Sequence, residues 1–272
     1  MTNIETRYVD YASIPSLASA LTDIDIVLSV LLIPGPEMET YQLNLLAAAE
    51  QAGVKRFAPS EFALPPAAQE SVEFDGTKQR VWQRVQEAVE QGRIDAARFP
   101  TGMWMNYLAI GCPPRRREEG LAGFSEGAFL VHLDEDEPWI EIPVLADGTY
   151  PALTMTDLRD IGRFVRAAVD IEEPWGGRTL GMAGDTVGFG ELVALCEAYV
   201  GKTVVQRREV GAEELRKRLE QTPPDDFMKR METQIALVGC RDAFVVEPAL
   251  NALCDVQPTT IQRFLHTYWA EE

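Results

Sequence analysis

The sequence predicts an α/β fold built on a parallel sheet. Two observations carry this. Over the first hundred or so residues, short apolar runs alternate with helical stretches of about 12–18 residues, the order of βαβ units. The run IDIVLSVLLI (24–33) is apolar almost throughout and rich in β-branched residues, as a strand buried on both faces requires.

The elements follow in order. IETRYV (4–9) reads as a strand. SIPSLASALTDID reads as a helix with Ser13 or Ser16 as its N-cap, because a serine hydroxyl satisfies a free N–H of the first turn. IDIVLSVLLI is the next strand. GPEMETYQLNLLAAAEQAG is helical and stops at Gly53. VKRFAP (54–59) is a strand, TKQRVWQRVQEAVEQG (77–92) an amphipathic helix closed by Gly92, and IDAARFP (94–100) a further strand. Beyond about residue 110 the alternation stops. CPPRRREEG reads as a polar loop and AFLVHLDEDEPWIEIPVL as a hairpin. MTDLRDIGRFVRAAVD (155–170) is a helix with Leu158, Ile161, Phe164, Val165 and Ala168 on one face. RTLGMAG (178–184) reads as a strand returning to the sheet, FGELVALCEAYVG as a helix, and roughly the last seventy residues as mainly helical. The expected organisation is a Rossmann-like part over 1–110 and a smaller, mainly helical substrate-binding part over 111–272, interleaved through 178–184.

Composition narrows the function. A chain of 272 residues, 46% hydrophobic and 25% charged, can bury a full core. Its net charge of -18 excludes the cationic footprint that nucleic acid needs and the attraction that an anionic membrane surface needs. No apolar run reaches the ~18 residues that span a bilayer, and the N-terminus lacks the basic-then-apolar pattern of a signal peptide. A cytoplasmic location is the expectation. The four cysteines lie far apart without C-x-x-C spacing, and there are two histidines, His132 and His266. That suits reduced thiols and no metal centre.

One stretch is specific. AGVKRFAPSEF (52–62), Lys78 on the next helix, and ARFPTGMWMNYL (97–108), set in the order VDY…SLASAL…DIDIVLSVL…Q…LLAAAEQAG, resemble the NmrA-like family of atypical short-chain dehydrogenases. Isoflavone reductases and phenylcoumaran benzylic ether reductases belong to that family. TDLRDIGRFVRAAV and the segment from RTLGMAG to FGELVALCEAYVGK fit its later part, so the resemblance covers most of the chain. Family members begin with a strand, a G-x-x-G-x-x-G turn that seats a dinucleotide pyrophosphate on a helix N-terminus, a helix and a second strand. Matched to them, this sequence starts at the third strand, so the fold expected is an N-terminally truncated Rossmann-like sheet. GPEMET, GGRTLGMAG and GDTVGFGEL contain glycines without the fingerprint spacing. With the loop missing, the third strand is expected to slide inward, ETRYV pairing in parallel with DIVLSVL. The exposed edge left behind favours a homodimer or coverage by another segment.

The resemblance also points to residues. The matching lysine of family reductases stands near nicotinamide and substrate, so Lys78 is the candidate general acid or base; a lysine serves where burial brings its pKa toward neutrality. The ordinary reading is a solvated lysine, poorly placed at a helix start. Ser60 and Glu61 follow a strand at its carboxyl end, where parallel sheets bind ligands. Glu61 is a candidate base or orienter of Lys78, and Ser60 and Phe62 are candidate substrate contacts. The alternative is that PSEF is only a turn. Met103, Trp104 and Tyr107 follow the next strand and suit an apolar pocket wall; ordinary core packing is the competing use. His132 reads as a strand-surface residue and DEDE (134–137) as a solvated turn.

These features favour an enzyme of specialised metabolism acting on an aromatic or polyketide-like small molecule. Without a glycine turn, cofactor-independent acid–base chemistry (isomerisation, cyclisation or dehydration) is the expectation. NADPH-dependent reduction is the alternative, and a non-catalytic NmrA-like regulator the third reading.

Overall fold

The structure is a computed structural model and describes residues 4–270 other than 34, 36, 74, 125, 126, 128, 129 and 202–204. Pro36 of the second expected helix and Ala128 and Phe129 of the expected hairpin therefore lie outside the described residues. The chain opens with α1 (Ile14–Ala20), β1 (Ile26–Leu28), α2 (Glu37–Ala52), β2 (Arg56–Ala58), α3 (Pro66–Gln69), α4 (Gly76–Glu90) and β3 (Asp95–Arg98). Next come β4 (Met103–Trp104), a 3-10 turn (Met105–Ala109), α5 (Pro114–Leu121), β5 (Val131–His132), β6 (Trp139–Val144) and β7 (Ala152–Thr156). Then follow α6 (Leu158–Val169), β8 (Arg178–Thr179), β9 (Asp185–Gly188), α7 (Phe189–Tyr199) and β10 (Gln206–Gly211). The last elements are α8 (Ala212–Gln221), α9 (Phe227–Gly239), a second 3-10 turn (Asn251–Leu253) and α10 (Ile261–Trp269).

Two units divide the chain. The first lies within 1–62, 74–99 and 171–180. Its sheet has the order β1-β2-β3-β8, and every pair is parallel, with Val27 beside Phe57, Arg56 beside Asp95 and Ala97 beside Arg178. The core joins Val27, Phe57 and Ala96 of the strands to Leu45, Leu46 and Ala49 of α2 and Val81, Trp82 and Val85 of α4. Burying such side chains contributes roughly 1.5–3 kcal/mol each for the larger ones. Gly53 ends α2 with φ +74°, a left-handed turn that costs glycine nothing. The 171–180 segment is tied in by charge: Arg56 donates to the carbonyl of Ile171 at 2.6 Å, and the Asp95 carboxylate accepts from the Trp175 and Gly176 N–H groups.

Two expectations fail here. Residues 4–9 form no strand. Arg7 instead donates to the carbonyls of Ala20 and Thr22, and Tyr8 is 97% exposed. The apolar run 24–33 is a strand only over Ile26–Leu28. Its ladder to β2 ends at Leu28, after which Val30 and Leu32 stand exposed. Among the described residues β1 is therefore an edge strand, with β2 as its one partner.

The second unit lies within 63–73, 100–170 and 181–272. One sheet runs β10-β6-β5 and another β4-β7-β9. The hairpin β5–β6 is antiparallel, while β10 lies parallel to β6 over six residues. CPPRRREEG is not a loop: α5 starts in it, with a proline in its first turn, where the missing N–H is not needed. Asp157 caps α6 by accepting from the Arg159 N–H at 3.0 Å. No helix among the described residues is long and apolar enough to cross a membrane.

Candidate functional site

Residues at the carboxyl ends of parallel strands face the side where α/β sheets take ligands. In the first unit β2 delivers Pro59, Ser60 and Glu61 there. Opposite them, Thr77 and Lys78 sit in the first turn of α4, and Met38 and Gln42 lie on α2. These side chains, with Val81, enclose a cavity of about 10 Å³, the room of roughly one water molecule.

Each wall has a local cause. Asp75 precedes α4 but makes no side-chain cap to it. Its carboxylate instead pairs with the Lys78 ammonium one turn on, both side chains being about nine-tenths buried or more. Lys78 is thus a buried cation held at a helix start, which a solvated lysine would not be. Glu61 is 1% exposed and lies near the Arg98 guanidinium. Burial pushes Arg98 below the usual arginine range, and the Glu61 carboxylate opposes that shift. Arg98 also stacks over Trp82, 4.9 Å from the ring centroid, and donates from Nε to Thr179. A partly desolvated cation is stabilised by such neighbours. Gln42 was not foreseen. Its neighbours on the helix face, Met38, Leu45, Leu46 and Ala49, are apolar, yet it is 2% exposed and its Nε2 donates to Ser29 Oγ at 3.0 Å.

The structure thus brings Lys78, Glu61 and Ser60 into one cavity. Phe62 belongs to the same unit and stacks on Phe99, centroids 6.1 Å apart. Met103, Trp104 and Tyr107 belong to the second unit. Met103 and Trp104 form β4, paired with Met155 and Thr156. Trp104 and Tyr107 both pack edge-on against Phe124, at 5.6 and 4.7 Å. His132 stacks on Trp139 at 3.6 Å. A cavity of about 570 Å³ in the second unit is lined by Cys112, Arg117, Tyr199 and Trp269. It offers no acid–base set, since burial pushes the Cys112 thiol up, against the pull of Arg117 and Arg116, and a thiol so held is a poor nucleophile. Among the described residues, no three His, Cys, Asp or Glu side chains cluster as metal ligands.

Comparison with known proteins identifies the lineage. The model of the NmrA-like family matches residues 3–265. Eugenol synthase 1 of Petunia hybrida is 26% identical over 271 residues, covering 95% of this chain and 79% of its own length. Phenylcoumaran benzylic ether reductase Pyrc5 of Pyrus communis is 27% identical, covering 93% and 78%. Among solved structures, an NADPH-dependent quinone oxidoreductase from Escherichia coli, complexed with NADPH, superposes with a TM-score of 0.68 at 17% identity, covering 97% of this chain and 83% of its own. At that identity the likeness shows the fold, a Rossmann-like α/β architecture. The chain belongs to the NmrA-like family. These matches do not support the cofactor-free, non-redox chemistry expected from the sequence, and the reductase alternative fits them better.

Proposed function

We propose that this protein is an NAD(P)H-dependent reductase of a small apolar, aromatic molecule, with Lys78 as the proton-transferring residue. One observation carries the reading: a buried lysine shares a cavity with Ser60 and Glu61 at the carboxyl end of a parallel strand, in a chain of this family. NADPH, when bound, supplies the hydride. The residues present fit the reacting end of that cofactor. Val30 and Leu32, exposed and apolar just beyond β1, and Pro59–Glu61, just beyond β2, are the residues that would hold its nicotinamide end. The first turn of α2 carries Glu37 and Glu39, which repel phosphate, so that helix is not the pyrophosphate seat.

Within this site Asp75 anchors the Lys78 side chain. Lys78 exchanges the proton that accompanies hydride transfer, and Glu61 with Arg98 keeps the wall behind it charge-balanced. General acid–base groups of this kind contribute on the order of 10²–10⁴-fold.

The test has two parts. Tryptophan quenching with NADPH should saturate at micromolar nucleotide, and loss of NADPH absorbance should follow addition of an aromatic ether, enone or quinone. Lys78→Ala should lower kcat on the order of 10²–10⁴-fold while leaving the NADPH Kd within about twofold. Failure to bind millimolar NADPH would sink the reductase reading, whereas an active Lys78→Ala enzyme would sink only the role of the lysine.

A further inference from the structure

We infer that the cavity of about 570 Å³ in the second unit is a binding site for a flat aromatic carboxylate, with Arg117 as its anion anchor and the Tyr199 and Trp269 rings as its walls. Its lining residues all belong to that unit, so the inference goes beyond the proposed reduction and does not rest on it.

Charge is the first observation. The chain carries 43 acidic side chains against 25 basic ones. Yet among the described residues lining this cavity none is acidic, and Arg117 is the one charged side chain. Its Nη2 donates to the Cys112 carbonyl at 3.3 Å, which ties the guanidinium to the cavity wall. Among the described residues the guanidinium makes no ion pair. Its field reaches the cavity: burial pushes the Cys112 thiol up, and the Arg117 and Arg116 guanidiniums oppose that shift. A cleft lined by one sign of charge concentrates ions of the other sign, and here the ion it concentrates is an anion.

Size and chemistry narrow that anion. A volume of about 570 Å³ falls in the range of small-molecule sites. Trp269 commits its indole N–H to the Leu108 carbonyl at 2.7 Å, so its ring is what a ligand meets. Tyr199 packs edge-on to His266 at 6.0 Å, and its hydroxyl accepts from Gln262 Nε2 at 3.2 Å. That leaves the hydroxyl proton to donate. Both rings are thus held in place, and they suit an aromatic body. Pro113 and Pro114 carry no N–H, so the entry to α5 gives no backbone donor at those positions. The anion is met by a planar guanidinium, which matches a carboxylate with two parallel hydrogen bonds. One cation balances one charge. A phosphate monoester would bring a second charge into a chain of net charge -18, so the carboxylate is the better fit. The cavity has no acid–base set, so it binds its ligand unchanged.

Three probes built on one ring system test this: 2-naphthoate, its neutral amide 2-naphthamide, and 2-naphthyl phosphate. Each is titrated by ligand-observed NMR near neutral pH, where the carboxylate is ionised. The wild-type chain should bind the carboxylate about fivefold more tightly than the amide, the scale set by an exposed ion pair. It should bind the phosphate no more tightly than the carboxylate. Arg117→Gln should bring the carboxylate-to-amide ratio within about twofold and leave the amide affinity unchanged. Arg117→Lys, which keeps the charge without the fork, should retain part of the preference. Arg117 is exposed, so neither change threatens the fold, and each ratio is read within one protein. Equal binding of carboxylate and amide by the wild type overturns the inference. So does the absence of saturable carboxylate binding at millimolar concentration, or a full preference in Arg117→Gln, which would put the carboxylate elsewhere. Tighter binding of the phosphate overturns the assignment to a carboxylate. NADPH takes no part and the first unit is unaltered, so each outcome leaves the reductase reading to its own test.

Discussion

Glu61 lies beside Ser60 and Lys78 in the cavity, and its charge also balances Arg98, a partly buried cation stacked on Trp82. Removing that charge leaves the partly buried Arg98 with only Thr179 and Trp82 among the described residues to stabilise it, and breaking one half of such a pair is the costly change. Glu61→Gln should therefore destabilise the protein by about 1–2 kcal/mol, and Glu61→Gln combined with Arg98→Met by less than the two changes added. Urea denaturation of the two single variants and the double variant measures this; strict additivity would show that the two side chains are not coupled. At this scale the sequence was partly readable. Ser60, Glu61 and Lys78, which line one cavity, were singled out because they stand in or follow a stretch with a family pattern. Gln42 was not, because a glutamine in a helix carries no local mark. It becomes conspicuous only when α2 places it on the face otherwise occupied by Met38, Leu45 and Leu46.

Among the elements, those with punctuation were legible and those without it were not. Asp157 announces α6 as a cap, and Gly53 closes α2. By contrast β10 reads QRREVG, with Val210 as its one buried side chain, so it lacks the period of two that marks a half-buried strand. It is held by its ladder to β6 and by Arg208 lying 3.8 Å over the Trp139 ring. Residues 4–9 have the opposite history: strand-like composition, yet they join no ladder, and Arg7 donates to the Ala20 and Thr22 carbonyls instead. Close backbone approach was equally hidden. Gly102 has φ +69°, and a Cβ there would lie 2.3 Å from the Thr154 carbonyl oxygen. Gly102→Ala should force β4 from β7 and cost about 2–4 kcal/mol, through left-handed strain together with a backbone clash. A melting curve with an unchanged midpoint would refute that. The segment 63–73 offers a pH-dependent case. Arg230, hydrogen-bonded to Glu73 at 2.6 Å, holds that carboxyl below its ordinary value of 4.5. A depressed carboxyl contributes stability above its unfolded pKa and loses it as the pH falls through the folded one. Glu73→Gln should thus be less stable at pH 7 by at most about 1 kcal/mol, since the Glu73 side chain is 60% exposed. The difference should shrink below about pH 4.5.

For the molecule as a whole, charge is the dominant fact: 43 acidic against 25 basic side chains, net -18. Salt acts on this in two opposing ways. It weakens attractive pairs such as Lys55–Asp25 at 2.7 Å and Lys217–Glu213 at 2.8 Å. It also relieves repulsion among the excess carboxylates. Distance decides between them. The Debye length at physiological ionic strength is about 8 Å, so contacts of about 3 Å are little screened, while repulsion between distant carboxylates is largely removed. Exposed pairs also contribute only about 0–1 kcal/mol each. Relief of repulsion should therefore win, and the melting temperature should rise by several degrees from 10 to 150 mM NaCl, each kcal/mol being worth about 2–4 °C in a chain of this size. The same field repels a polyanionic dinucleotide during its approach. The NADPH association rate measured by stopped flow should then increase with salt, the reverse of electrostatic steering. A rate that falls with salt would mean that a local cationic patch overrides the net field, and Arg and Lys side chains near the nucleotide would then be the residues to find.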